Sequence, residues 1–101
     1  MTQLENIKGI IEKLGPELSR KYNVFSIGLF GSVVRDDFSI TDSDVDILVD
    51  FSSPIGIEFI DLAEFLESQI KKKIDLVSRK GVKPNYLRQI ENELIYVYKA
   101  A

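Results

Sequence analysis

The sequence contains no cysteine and no histidine among its 101 residues, and it also lacks tryptophan. Without cysteine the chain cannot form disulfide bonds or thiolate zinc sites, and it has no cysteine nucleophile. Without histidine a Ser-His-Asp triad is excluded and a structural zinc site is disfavoured. Any catalysis must therefore use Asp, Glu, Lys, Tyr, Ser or a bound metal ion.

Long apolar runs and a strong positive charge are also missing. No hydrophobic stretch approaches the ~20 residues that span a membrane, and residues 1–5 lack the basic and apolar regions of a signal peptide. The formal net charge of −3 argues against a protein that mainly coats nucleic acid. We therefore expect a cytoplasmic protein with no membrane partner and no direct nucleic-acid binding.

The residues that are present suit one small globular domain. The length corresponds to about one domain, and a hydrophobic content of 45% supports one modest core. The chain has no repeat, linker or low-complexity segment. We therefore expect a single domain over residues 1–101.

Apolar residues recur every three or four positions at the start of the chain, which predicts a helical stripe: Leu4, Ile7, Ile11, Leu14 and Leu18. The pair Gly15-Pro16 interrupts this stripe, and a proline inside a helix loses a hydrogen bond. The sequence therefore predicts one helix that ends near Leu14 and a second, short helix over Pro16–Tyr22.

Three apolar segments are typical of β-strands, and they span Val24–Phe30, Val45–Phe51 and Lys73–Val77. The final apolar run, Leu94–Tyr98, fits either a short strand or the end of the last helix. Between the first two strands, the polar stretch Asp36–Ser43 predicts a loop without a full helical crossover. A mixed sheet is therefore favoured over a fully parallel one.

Two more helices are predicted after these strands. One spans about Gly56–Gln69, and the other begins at Pro84, because proline suits the first position of a helix. The first of them directs four side chains toward the core: Ile57, Ile60, Leu66 and Ile70. Helices that separate strands indicate a two-layer α/β (α+β) fold, with a small mixed β-sheet and helices packed on one face.

Asp44 and Asp46 occupy alternate positions at the start of the second strand, so their side chains point to the same side of the sheet. At roughly 5 Å, two such charges repel by about 3 kcal/mol with an effective dielectric near 20. The pair must therefore lie in open water or hold a cation, and carboxylates beside substrate phosphates favour Mg²⁺. The alternative interpretation is a polar strand end.

Asp42 extends the pair to D-x-D-x-D, a pattern that also begins a calcium-binding loop. That loop requires glycine at the position of Ile47 and glutamate at the position of Ser53. A calcium loop is therefore rejected.

Asp75 interrupts the apolar third strand, where an unpartnered charge is costly. If this strand pairs with the second, Asp75 can join Asp44 and Asp46 on one face. The alternative is an outward-facing carboxylate on a half-exposed sheet.

Gly31-Ser32 follows the first strand and opens a predicted helical turn. Free backbone N–H groups and the Ser32 hydroxyl can bind phosphate there, and Arg35 could reach a triphosphate from the same side of the turn. The alternatives are an ordinary turn and a surface arginine paired with Asp36 or Asp37. The segment matches neither a Walker loop nor a dinucleotide fingerprint.

Together these residues resemble the nucleotidyltransferase superfamily that includes polymerase beta. More closely the chain resembles the minimal nucleotidyltransferase (MNT) family, whose signature is G-S-x-x-R followed by S-D-x-D. Residues 31–35 and 43–46 match both parts of that signature. The family often has alanine before the arginine and glycine after it, where this chain has Val34 and Asp36.

The resemblance implies a site residue by residue. Asp44 and Asp46 would bind two Mg²⁺ ions, and Asp75 would share one metal and act as, or help create, the general base. Four residues would bind the nucleotide: Gly31, Ser32, Arg35 and Ser43. The implied reaction is in-line attack on the α-phosphate of ATP with release of pyrophosphate.

MNT proteins are similar to antitoxins that are encoded with HEPN-family ribonuclease toxins. The resemblance implies that this chain transfers AMP from ATP to a tyrosine of such a toxin, which would be its partner. Two alternatives stay open. One is a non-catalytic module that neutralises its partner by occlusion; the other is a nucleotidyltransferase for a small molecule or an RNA end, acting with an oligomeric or separate partner.

Overall fold

The computed structural model describes residues 2–35 and 43–100. Its three α-helices are α1 (Gln3–Tyr22), α2 (Glu58–Ile70) and α3 (Pro84–Glu91). Its four strands are β1 (Val24–Phe30), β2 (Val45–Phe51), β3 (Ile74–Ser78) and β4 (Ile95–Lys99), and short 3-10 turns cover Gly31–Val34 and Arg79–Gly81. The loop predicted over Asp36–Ser43 lies outside the described residues except for its last residue. Asp36, Asp37 and Asp42 also lie outside the described residues, so the structure does not test their predicted roles.

The four strands form one sheet in the order β3-β2-β1-β4. Strand β1 pairs antiparallel with β2 and with β4, whereas β2 and β3 are parallel. The predicted mixed sheet is therefore confirmed. The ambiguous run at the end of the sequence forms β4, because its backbone pairs with the free edge of β1.

Helix α1 is continuous, so the predicted break at Gly15-Pro16 is wrong. A capping box between Thr2 and Glu5 starts the helix, and Pro16 lies inside it. The buried stripe continues through Leu18 beyond the proline. The Ser19 hydroxyl also lies 2.6 Å from the Tyr98 hydroxyl of β4, which fixes the second half of the helix against the sheet. Packing therefore outweighs the hydrogen bond that proline removes.

Helices α1 and α2 cover one face of the sheet, where alternate strand residues form the main core. In α2 the buried positions are Leu62, Leu66 and Ile70, spaced four residues apart. The prediction that Ile57 and Ile60 face the core is wrong, since they are 75% and 60% exposed. Ile57 precedes the helix, and Ile60 lies two positions from Leu62, which turns it away from the buried stripe.

Helix α3 lies against the opposite face, where its Ile90 packs with Phe30 of β1 and Leu48 of β2. The mixed α/β class with a small mixed sheet is confirmed. The expected packing of helices on one face holds for α1 and α2, whereas α3 lies on the other face. Gly28 makes room on this side, because a Cβ there would approach Leu94 Cδ1 to 2.5 Å. None of the helices within residues 2–35 and 43–100 is both long and apolar enough to cross a membrane.

Candidate active site

Two carboxylates meet on the face that carries α3. Strands β2 and β3 run parallel, and Asp46 and Asp75 are Cα partners in their register. Both side chains therefore leave the sheet on the same side, as the strand parity predicted. Asp46 is half-buried, whereas Asp75 is exposed.

Burial raises the pKa of Asp46 to about 6, and the charge of Asp75 and a hydrogen bond with its carboxylate contribute in the same direction. The charge of Asp44 adds a smaller upward effect, and Arg35 partly opposes it. The pair therefore repels when both members are ionised. A shared proton or a bound cation can relieve this repulsion between the two carboxylates.

Asp44 is exposed and directly precedes β2, beside the half-buried Ser43. Its effect on the pKa of Asp46 places its charge within interacting range of the pair. In the part of the chain that the structure describes, no three acidic side chains form a ready-made metal cage. The acidic residues are near one another but are not pre-assembled as three ligands.

This donor set fits Mg²⁺ that is bound together with a phosphorylated substrate. Magnesium usually takes one or two carboxylates, keeps several waters and completes its shell with substrate phosphates. The pair Asp46 and Asp75 can supply those carboxylates, and their mutual repulsion favours a cation between them. Asp44 is close enough to assist electrostatically.

Gly31 follows β1 with a φ of 76°, in the left-handed region that glycine adopts without strain. A Cβ built at this position would collide with the carboxylate of Asp46. The register explains the closeness, because Phe30, the preceding residue, pairs with Asp46. Glycine therefore brings the backbone of the turn directly against the carboxylate of Asp46.

Arg35 lies just after this turn and donates from Nη1 to Glu93 Oε2 at 2.8 Å. The other oxygen of Glu93 accepts the backbone N–H of Gly31, also at 2.8 Å. Glu93 was not among the site residues predicted from the sequence. Its only sequence signal is an acidic residue before the last apolar run, and nearby Glu91 has the same character, so the pattern alone could not distinguish them.

These groups line an open cavity of about 230 Å³ whose wall includes Gly31, Arg35, Asp46, Asp75, Tyr86 and Glu93. Four of the predicted site residues therefore share one cavity. Of the other predicted residues, Ser32, Ser43 and Asp44 lie outside its wall. A larger cavity of about 400 Å³ lies at the other end of β2, around Phe51 and Phe59, and contains none of the predicted site residues.

Known proteins share both the sequence and this fold. A family model for the nucleotidyltransferase domain matches residues 11–97. Protein adenylyltransferase MntA from Thermococcus cleftensis is 40% identical over 98 residues, which is 96% of this chain and 98% of the relative. A Methanocaldococcus jannaschii protein, named as a candidate protein adenylyltransferase, is 38% identical over 99 residues, or 96% and 100% of the two chains.

Solved structures of similar fold include other nucleotidyltransferases. A candidate minimal nucleotidyltransferase is 28% identical with a TM-score of 0.76, and the match covers 94% of this chain and 95% of that one. The MNT antitoxin complex with the tri-AMPylated HEPN toxin of Shewanella oneidensis shares the fold, with a TM-score of 0.69, 21% identity, and coverage of 96% and 73%. The resemblance to the minimal nucleotidyltransferases is confirmed: the chain belongs to the nucleotidyltransferase domain family and is a nucleotidyltransferase.

Proposed function

We propose that this protein is an antitoxin that uses Mg-ATP to transfer AMP to a tyrosine of a HEPN-family toxin. The observation that carries the proposal is the cavity in which Asp46 and Asp75 face the Gly31 turn and Arg35. A carboxylate pair beside cationic and N–H donors suits a nucleotide that carries both phosphates and metal.

The residues have separate roles in this proposal. The N–H of Gly31 and the guanidinium of Arg35 bind phosphate oxygens, assisted by the Ser32 and Ser43 hydroxyls. Asp44, Asp46 and Asp75 hold Mg²⁺, with two ions expected. Bound magnesium would supply stabilisation of the attacking and leaving oxygens of an in-line displacement.

The exposed Asp75 has a second proposed role as general base, since an acceptor hydroxyl can approach it from solvent. The hydroxyl oxygen forms a bond to the α-phosphorus as the bond to the bridging oxygen breaks. Pyrophosphate leaves, and the tyrosine proton passes to the carboxylate. No histidine is needed for this proton transfer, in a chain that has none.

The acceptor is proposed from the relatives and the fold neighbours. The Thermococcus cleftensis relative is a protein adenylyltransferase, which indicates a protein acceptor. A fold neighbour from Shewanella oneidensis is an antitoxin bound to a toxin that carries AMP groups. A second neighbour is a toxin–antitoxin complex with AMP-PNP, at a TM-score of 0.72 and 24% identity. The first neighbour supports a HEPN protein as the partner, and the AMP-PNP in the second supports ATP as the donor.

The test is to incubate the protein with Mg-ATP and the HEPN protein encoded beside it, and to measure the intact mass of the partner. We expect the mass of one or more AMP groups to appear, and peptide mapping to place them on tyrosine. Asp46→Asn and Asp75→Asn should abolish the modification. The matched control is Asp61→Asn, which makes the same carboxylate-to-amide change at an exposed position of α2. This variant should still modify the partner.

Two results would contradict the proposal. An unmodified partner that binds tightly would support neutralisation by occlusion. Transfer of AMP to an RNA end or a small molecule, with the HEPN protein unchanged, would place the acceptor elsewhere.

A further inference from the structure

The carboxylate of Glu93 contacts two of the groups that the proposed function assigns to phosphate binding. Glu93 Oε1 accepts the Gly31 N–H at 2.8 Å, and Glu93 Oε2 accepts from Arg35 Nη1 at 2.8 Å. A carboxylate that bridges an N–H and a guanidinium uses the same donor chemistry as a phosphate with two oxygens. Glu93 therefore lies where a phosphate group would form its hydrogen bonds.

The backbone holds Glu93 at this position but leaves its side chain room to move. The residue lies in the short connection between α3 and β4, where its N–H donates to the Ile90 carbonyl at 3.1 Å. Its side chain is 31% exposed and that of Arg35 is 52% exposed. The carboxylate can therefore rotate into solvent without a change in the fold.

Charge makes such a movement necessary when a triphosphate binds. Three carboxylates line the cavity, those of Asp46, Asp75 and Glu93, against the single guanidinium of Arg35 among the described lining residues. A metal ion can compensate the first two. If Glu93 stayed in place, a phosphate would lose two donors and would contact a like charge.

We propose that Glu93 is an intramolecular competitor of the triphosphate, which keeps the Gly31 N–H and Arg35 occupied until nucleotide displaces it. This inference rests on the proposed nucleotide transfer and adds a regulatory element to it. The alternative role for Glu93 is to position Arg35. In that role the glutamate would stay in place when the triphosphate binds and would assist its binding. The two roles predict opposite signs when the charge of residue 93 is removed.

The test compares the triphosphate affinity of the wild-type protein with that of Glu93→Gln, which keeps the shape of the side chain but removes its charge. Calorimetric titration with Mg-AMP-PNP, and separately with inorganic triphosphate and Mg²⁺, measures binding without turnover. We expect Glu93→Gln to bind both ligands about tenfold more tightly, because the competing hydrogen bonds are weaker without the carboxylate charge.

Glu91→Gln is the matched control. It changes the same charge two residues away, in a glutamate that also pairs with an arginine, since Glu91 Oε2 accepts from Arg79 Nη1 at 2.7 Å. We expect its affinity to equal that of the wild type. A gain in both variants would be a general effect of charge and would overturn the inference.

The NMR resonance of the Gly31 amide provides a second comparison of the two proteins. The Gly31 amide resonance should shift in Glu93→Gln without ligand, and ligand should shift it in the wild type as the carboxylate leaves. If Glu93→Gln fails to fold, Glu93→Asp provides the test, since it keeps the charge but shortens the reach. We expect Glu93→Asp also to bind triphosphate more tightly than the wild type.

The outcomes separate the two proposals. Wild-type binding combined with equal or weaker binding by Glu93→Gln would overturn the competitor role and leave the nucleotide site intact. Binding by Glu93→Gln alone would support the competitor role. Failure of the wild type and of every folded Glu93 variant to bind either ligand would overturn the nucleotide site itself, and the competitor role with it.

Discussion

Asp46 and Asp75 are direct partners in the parallel register of β2 and β3, so their carboxylates face the same cavity. Burial of Asp46 and the charge of Asp75 raise the pKa of Asp46 to about 6 from an ordinary value of 3.8. The folded chain without metal therefore holds a repulsive pair at neutral pH. A site built for a cation commonly destabilises the protein when the cation is missing.

The first prediction concerns this repulsion. Because the folded pKa of Asp46 is raised, its proton stabilises the fold fully below about pH 3.8, and this contribution is lost as the pH rises through 6. In EDTA at pH 7, we expect Asp46→Asn to exceed the wild type in unfolding free energy by about 1 kcal/mol, after allowance for solvent screening of a half-exposed group. The gain should shrink toward pH 4.

Urea unfolding of both proteins between pH 4 and pH 8 measures the difference. The exposed Asp61→Asn on α2 should show no comparable gain at any pH. A less stable Asp46→Asn at pH 7 would mean that the carboxylate is structurally useful even without metal.

The second prediction is that Mg-ATP raises the melting temperature. A ligand that binds only the native state at 100 times its Kd adds about 2.7 kcal/mol, which corresponds to roughly 10–20 °C for a chain of this size. The shift should require both components, because the cavity is rich in carboxylates. Thermal denaturation with Mg²⁺ alone, with ATP in EDTA, and with both distinguishes the contributions. An unchanged melting curve at saturating Mg-ATP would count against the triphosphate site.

The third prediction concerns Gly31, whose φ of 76° and contact with Asp46 leave no space for a side chain. We expect Gly31→Ala to lower the unfolding free energy by about 1–3 kcal/mol, since it combines left-handed backbone strain with a steric collision. It should also eliminate the Mg-ATP shift in melting temperature. Gly56→Ala is the control, because a Cβ there has only a 3.7 Å contact with Glu58 Oε2.

Two glycines of α1 provide the fourth prediction. A Cβ at Gly15 would collide with the ring of Tyr98, whereas a Cβ at Gly9 would have nothing within 4 Å. Gly9→Ala should therefore stabilise the protein by about 0.5–1 kcal/mol through helix propensity. Gly15→Ala should destabilise it by about 1–3 kcal/mol through overpacking. Equal effects of the two substitutions in chemical denaturation would refute the proposed contact with Tyr98.

Strand parity made the central pair predictable from the sequence. Asp46 and Asp75 each interrupt an apolar strand at a position that faces away from the main core, so pairing of the strands brings them to one face. The glycine turn and Arg35 follow a local motif, and both reach the same cavity. Local patterns were sufficient here because Asp46 and Asp75 lie within regular strands, and the turn that leads to Arg35 directly follows a third.

Other features depend on tertiary contacts that no local pattern contains. Pro16 predicts a helix break, but packing of Leu18 and the contact of Ser19 with Tyr98 keep α1 continuous. Glu93 reaches Gly31 across 62 positions of sequence, and only the fold reveals that contact.

The pairing of β1 with β4 has a consequence for synthesis of the chain. The second neighbour of β1 is β4, which comes from residues 95–99. The sheet therefore cannot be completed until the ribosome has translated these residues. Until then β1 presents a bare hydrogen-bonding edge that another nascent chain could pair with. Glu93 is translated just before β4, and the same late segment therefore completes the sheet and covers the Gly31 N–H.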